Sequence, residues 1–174
     1  VFRPYLKYNE HHQKEVLSQV RRALNESHQV AYISDQGNPC LADPGRFLVA
    51  EGLRQKAQLK VIPGPSSITS AISACPFDMS SFHYEGFLPQ KTALRAKAIN
   101  LFKKTKVPVI LLDTPYRREA LLEALFEAFS HSRKALIAID ISGPEEVYHY
   151  GTLSELKKET KSLGKLNFVL IIEP

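Results

Sequence analysis

The sequence predicts an α/β fold with largely parallel sheets. Three observations carry this. Apolar strand-like runs alternate with amphipathic helical runs along the chain. The run "VAYIS" (30–34) is continuously apolar in the way of a strand buried on both faces. Three loops, 34–45, 63–67 and 113–118, each follow such a run and are rich in Asp, Gly, Pro, Ser or Thr. In open α/β sheets ligands bind outside the carboxyl ends of strands.

The elements follow in order. Residues 10–28 read as an amphipathic helix with Val16, Leu17, Val20 and Leu24 on one face. The strand 30–34 leads into "SDQGNPCLADPG", and a helix starts at Pro44 with Asp43 as its N-cap and Leu48, Val49 and Leu53 as its buried stripe. "LKVIP" (59–63) reads as a strand, "GPSS" (64–67) as a turn and 66–74 as a short helix of small residues. "CPFDMSS" (75–81) breaks the pattern, and a domain boundary is placed there, giving domains 1–78 and 79–174.

The second domain continues with a strand at 81–88, a basic helix near 92–105, a strand at 107–112 and a strong helix from Tyr116 to Phe129, with Leu121, Leu122, Leu125 and Phe129 as its apolar side. Strands 134–141 and 146–151 are joined by a turn at 142–145. Thr152 and Glu155 form a capping box that opens a helix, and 165–173 is the closing strand.

Composition narrows the function. The chain has 174 residues, 44% hydrophobic and 24% charged, as in soluble globular domains. No apolar run approaches the length of roughly 18 residues that marks a membrane helix. Cys40 and Cys75 match no metal spacing and suit a reducing, cytoplasmic setting. There is no G-x-G-x-x-G and no P-loop lysine, which argues against dinucleotide and P-loop chemistry. No metal motif occurs, and the adjacent His11 and His12 read as surface residues. His83 and His149 suit core-edge positions as well as catalytic ones.

The net charge of +5 is unevenly spread: Gly86 to Leu112 contains six basic residues and no acidic one. Such a run is either a solvated face or a surface for nucleic-acid phosphates. Gly37, Gly45 and Gly64 allow a ligand to approach the main chain. Asp35, Asn38 and Asp43 offer acceptors suited to nucleoside hydroxyls and amines, although Asp35 and Asn38 suit turn chemistry equally.

Taken together, "YNEHHQKE", "YISDQGNPCLADPGRFLV", "VIPGPSSITSAISACPF", "FHYEGFLPQK" and "LLDTPYRREALLEAL" resemble, in order and spacing, the S-adenosylmethionine-dependent tetrapyrrole methylase superfamily. The best match within it is the branch that methylates a cytidine ribose 2′-hydroxyl in small-subunit ribosomal RNA. The resemblance implies two α/β domains with S-adenosylmethionine in a cleft between them, a homodimer, no membrane association and ribosomal RNA or the small ribosomal subunit as partner. It places Ser34, Asp35, Gly37, Asn38, Pro39, Ser66, Ser67, Asp113 and Thr114 at the cofactor. Asp43 is the candidate proton acceptor, and Lys91, Arg95, Arg117 and Arg118 are candidate RNA contacts.

Two departures qualify the match. The superfamily begins with a strand and a loop like "PTPIGN", which does not precede "YNEHHQKE"; with Val1 in first place, the expectation is a missing N-terminal segment and weak donor binding by this chain. The branch also carries an "RELTK"-like segment where this chain has "AIDISGPEE" (138–146), with Asp140 and Gly143 at the changed positions. A methyltransferase of a tetrapyrrole or other small molecule, and a non-catalytic RNA-binding relative, are the alternatives.

Overall fold

The computed structural model describes residues 5–8, 12–35, 37–129 and 132–174. The chain divides into two compact units, Val1–Pro65 and Ser66–Pro174. The division falls before the small-residue helix, where 78/79 was expected. Ile68 and Ala71 of that helix are buried against the sheet of the second unit, so the helix belongs with it.

In the first unit, α1 (Gln13–Asn25) buries Val16 and Val20, with Leu17 and Leu24 half-buried, as its periodicity predicts. The expected start at residue 10 and His11 lie outside the described residues, and His12 is exposed. Helix α2 (Arg46–Arg54) turns a different face inward from the one expected. Leu53 is 61% exposed and Val49 is also exposed, while Glu51 and Gly52 are buried. The reason is polar. Glu51 accepts from Arg21 of α1 at 2.8 and 3.3 Å and from Gln55 at 2.9 Å, and it pairs with Arg54. A buried carboxylate must be paired, and here the pairing decides which face of α2 meets α1.

The expected strands 30–34 and 59–63 do not form a ladder, and the first unit has no strand among its described residues. Ile33 is 79% exposed and Val61 85%. A strand's backbone groups need a neighbour's ladder, and neither run has one.

The second unit holds one five-stranded sheet in the order β1-β2-β5-β3-β4. Its strands are β1 (His83–Phe87), β2 (Val109–Asp113), β3 (Lys134–Ile139), β4 (Val147–Thr152) and β5 (Phe168–Ile172). Among the described residues only β1 and β2 pair in parallel; β5 pairs antiparallel with both β2 and β3, and β3 antiparallel with β4. The expectation of largely parallel sheets fails here: the short link between β3 and β4 permits only an antiparallel pair, and β5 lies between β2 and β3 antiparallel to both. The three inner strands are buried on both faces, which explains why they read as unbroken apolar runs.

One face packs Leu111, Ile137 and Leu170 against α4 (Thr92–Phe102), α5 (Arg118–Ala128) and α6 (Leu153–Glu159). The other packs Ile110, Leu136 and Ile171 against α3 (Ser67–Ser73) and the 75–79 segment. The expected capping box opens α6: Glu155 N donates to Thr152 Oγ1 at 3.2 Å, and Thr152 N donates to Glu155 at 2.7 Å. Among the described residues no helix is long and apolar enough to cross a membrane.

Candidate functional site

The sheet directions gather the chemistry at one edge. Because β5 runs antiparallel to both β2 and β3, these two run the same way, and β1 runs with them. The register places Asp113 opposite Phe168 and Phe168 opposite Ile139. The turns after β1, β2 and β3 therefore emerge along one edge, which for the parallel pair β1/β2 is the ligand-binding edge of α/β sheets.

Asp113 ends β2 and is 6% exposed. Its Oδ1 accepts from Thr114 N at 2.7 Å and lies 3.4 Å from Arg117 Nε. Its Oδ2 is buried and has no hydrogen-bond partner among the described residues. Burial pushes the Asp113 carboxyl pKa up, opposed in part by the Thr114 N–H and by the charges of Arg117 and Arg95. Arg117 also donates from Nη2 to Leu88 O at 2.8 Å, with Pro89 O at 3.4 Å. It thereby ties the turn after β1 to the end of β2. Arg95, in the first turn of α4, has a buried Nε without a partner among the described residues.

The approach of β1 to this edge is shaped by Gly86. It sits at φ +73° where the β1–β2 register shifts, a conformation that favours glycine. At the end of β3, Asp140 and Ser142 have φ of 51° and 65°. Asp140 Oδ2 accepts from Glu145 N at 2.9 Å. A Cβ at Gly143 would lie 2.2 Å from Asp140 Oδ2. The two changes from the "RELTK" pattern are thus one feature: the carboxylate of Asp140 occupies the space a side chain at 143 would need.

One of the four proposed RNA contacts is corrected by its surroundings. Arg118 is buried, and its Nη2 lies 3.2, 2.7 and 3.0 Å from the carbonyls of Thr160, Leu163 and Gly164. It closes the end of α6 and cannot face a phosphate. Arg117 is committed to Leu88, Pro89 and Asp113. Lys91 is exposed and Arg95 half-buried. Lys103, within the basic stretch, contacts Ala128 O and lies over the Phe129 ring at 5.7 Å.

In the first unit, loop 34–45 is held by unusual backbone. Gly37, Cys40, Ala42 and Gly45 have φ of 63°, 72°, 56° and 151°. A Cβ on Gly45 would lie 2.6 Å from the Tyr32 ring and 2.7 Å from Cys40 Sγ, so no larger residue fits unchanged. Gly37 lies beside Pro65 O and Gly64 beside Asn38 Oδ1, which brings loops 34–39 and 64–65 together.

Asp43 is not the N-cap of α2. Gly45 holds that position, and Asp43 accepts instead from the Tyr32 hydroxyl at 3.0 Å. Burial first, then the neighbouring carboxylate, pushes the Tyr32 pKa up. Asp43 lines an open depression of about 660 Å³ with Tyr8, Cys40, Pro44 and Arg46. Ser34, Asn38 and Pro39 are half-buried, while Asp35 and Gly37 are exposed.

In the second unit, Ser66 is the N-cap of α3, with φ −139°, but its side chain makes no cap bond; Ser67 is exposed, as is Thr114. The described residues hold no group of three potential metal ligands.

Sequence reasoning missed the Tyr32–Asp43 contact, the Glu51 hub and the carbonyl-binding roles of Arg117 and Arg118. For Arg117 a signal was present: Asp113 at a strand end with Arg four residues on.

The chain matches the family described as Tetrapyrrole (Corrin/Porphyrin) Methylases over residues 2–157. It is 32% identical to "Ribosomal RNA small subunit methyltransferase I" of Thermotoga maritima, over 97% of this chain and 76% of that protein. It is 34% identical to the protein of the same name from Mesorhizobium japonicum, over 86% of this chain but 51% of that one. The solved uroporphyrin-III C-methyl transferase of Thermus thermophilus complexed with S-adenyl homocysteine superposes with a TM-score of 0.59, at 17% identity over 91% of this chain and 72% of that one, a likeness of fold. The chain belongs to the tetrapyrrole (corrin/porphyrin) methylase family.

Proposed function

We propose that this chain is the methyltransferase of a ribose 2′-hydroxyl in small-subunit ribosomal RNA, with S-adenosylmethionine as methyl donor. The observation that carries this reading is the 32% identity, over nearly the whole chain, to a protein named for methylating small-subunit ribosomal RNA. The basic stretch at 91–106, free of acidic residues, supports a polyanionic acceptor.

The donor contacts proposed are Ser34, Asp35, Gly37, Asn38 and Pro39 in the first unit, and Ser66, Ser67, Asp113 and Thr114 in the second. The backbone suits a ligand laid against it: a Cβ at Gly37 or Gly64 would meet nothing nearer than 3.9 Å, leaving main chain open. S-adenosylmethionine, when bound, supplies a methyl group on a positively charged sulfur. The chain's part is to align the acceptor oxygen with that methyl and to exclude water. The hydroxyl proton passes to an acceptor on the chain, for which we propose Asp43, fixed in orientation by Tyr32. Lys91 and Arg95 would meet RNA phosphates, contacts that position the substrate without specifying sequence.

The test is methyl transfer from labelled donor to small ribosomal subunits. Label on a ribose of the small-subunit RNA is the expected outcome. Label only in a small molecule such as a tetrapyrrole overturns the RNA reading, and absence of transfer with RNA binding retained overturns the enzymatic one.

A further inference from the structure

The open depression of the first unit holds more chemistry than a proton acceptor needs. Its volume is about 660 Å³, and among the described residues its wall includes Tyr8, Cys40, Asp43, Arg46 and Phe47. Sites for small molecules usually span roughly 300–1,000 Å³.

Part of this wall is fixed from behind. The Tyr8 ring meets the Tyr32 ring edge-on, with centroids 5.8 Å apart and planes at 79°. The Tyr32 hydroxyl donates to Asp43 at 3.0 Å and contacts the Pro44 carbonyl. Gly45 is buried against the Tyr32 ring, where no Cβ fits. One residue, Tyr32, thus sets both Tyr8 and Asp43, and a site so supported needs little reorganisation when a ligand arrives. The rest of the wall is the start of α2. The Arg46 guanidinium lies over the Phe47 ring at 4.3 Å, and Phe47 is 42% exposed. Among the described residues Arg46 forms no ion pair.

The wall therefore offers flat aromatic surface, one cation and one carboxylate. A simple anion would use Arg46 alone and be repelled by Asp43. An apolar ligand would take both charges out of water without giving either a partner. A nucleotide has a part for each. Its base stacks on aromatic rings, its phosphate pairs with a guanidinium, and its ribose hydroxyl donates to a carboxylate.

We propose that this depression seats a nucleotide of the RNA acceptor, with the base at Tyr8 and Phe47, the phosphate at Arg46 and the ribose toward Asp43. The assignment to the acceptor rests on the methyltransferase reading. S-adenosylmethionine also carries a base and a ribose, but it has no phosphate, and the contacts proposed for it do not include Tyr8, Arg46 or Phe47.

Cys40 provides a probe that needs no turnover, since it is exposed in this wall while Cys75 is half-buried. Alkylation by iodoacetamide, followed by peptide mapping, is measured with and without cytidine 5′-monophosphate at millimolar concentration. The nucleotide should slow modification of Cys40 several-fold and leave that of Cys75 unchanged. In methyl transfer, Phe47→Leu should weaken the apparent affinity for small ribosomal subunits on the order of tenfold, and Phe47→Tyr, which keeps a ring, should restore it. Arg46→Gln should reduce the slope of log affinity against log salt by about one, the mark of one lost phosphate contact. Both Phe47→Leu and Arg46→Gln should bind S-adenosylhomocysteine like the unsubstituted protein.

Either an unprotected Cys40 or unchanged subunit affinity in both variants overturns the proposal and leaves the methyltransferase reading intact. Weakened binding of S-adenosylhomocysteine by the variants also overturns it, because the depression then serves the donor. Absence of transfer by the unsubstituted protein overturns the methyltransferase reading instead. Protection of Cys40 then still supports a nucleotide seat, and lack of protection overturns that as well.

Discussion

The two units of this chain solve the problem of burial differently. The second buries apolar side chains on both faces of a five-stranded sheet: Ile110, Leu111, Ile137, Leu170 and Ile171 have essentially no exposure. The described residues of the first form two helices whose contact is organised by a buried carboxylate, and they leave Ile33, Val61 and Ile62 largely exposed. Apolar burial is cooperative and tolerates no vacancy, whereas a polar hub with half-exposed partners can be solvated when broken. Substitutions in the two units are therefore expected to differ in size.

The largest effect is expected in the sheet. Leu170→Ala removes a fully buried side chain from the central strand and should cost about 2–5 kcal/mol, read by denaturant unfolding. Its counterpart in the first unit, Leu53→Ala at a 61% exposed position, should change stability by less than about 0.5 kcal/mol. Comparable losses would break the comparison.

The next effect is in loop 34–45. Gly45→Ala puts a Cβ against the Tyr32 ring at a φ of 151° and should cost about 1–3 kcal/mol in the same measurement. Tyr32→Phe, which loses the hydroxyl's contacts with Asp43 and the Pro44 carbonyl, should cost about 1 kcal/mol.

Glu51→Gln tests the polar hub. Removing one partner of a fully buried pair costs roughly 3–5 kcal/mol, but Arg21 and Arg54 keep 49% and 64% of their side-chain surface exposed and can return to water. The expected loss is about 1–2 kcal/mol, discounted for that screening. A loss as large as that of Leu170→Ala would place the hub on the same footing as the sheet core.

The smallest effect is a slope. The Asp113 pKa is raised in the folded state from an ordinary 3.8. The folded protein then holds the proton to higher pH than the unfolded chain, so this group's contribution is full below about pH 3.8 and is lost as pH rises through its folded pKa. Asp113→Asn should remove that decline, and unfolding curves from pH 4 upward should show its stability rising relative to the parent. A relative fall would mean that Arg117 and Thr114 outweigh burial.

What could be read from the sequence divides along the same line. The second unit's elements were legible because its helices and strands carry their own period and punctuation: Thr152 and Glu155 announce α6, and the apolar runs of β3 and β5 announce inner strands. The runs 30–34 and 59–63 have the same local character, yet a strand is made by its partner, which local sequence does not contain. The loop edge was legible as a place, since Asp113 and Thr114 follow a strand. The roles of Arg117 and Arg118 were not, because a basic residue that holds backbone carbonyls looks in sequence like one that awaits a phosphate. Asp43 before Pro44 reads as a helix cap by composition, but Tyr32, eleven residues away, takes it.

Hydrogen exchange of the backbone amides tests the difference between the two units most directly. Amides of the inner strands, such as those of Leu111, Ile137 and Leu170, should be the most protected in the chain, while 30–34 and 59–63 should exchange close to the rate of unstructured peptide. Protection of 30–34 or 59–63 equal to that of β5 would contradict the account, since it would require a second ladder where the described residues have none.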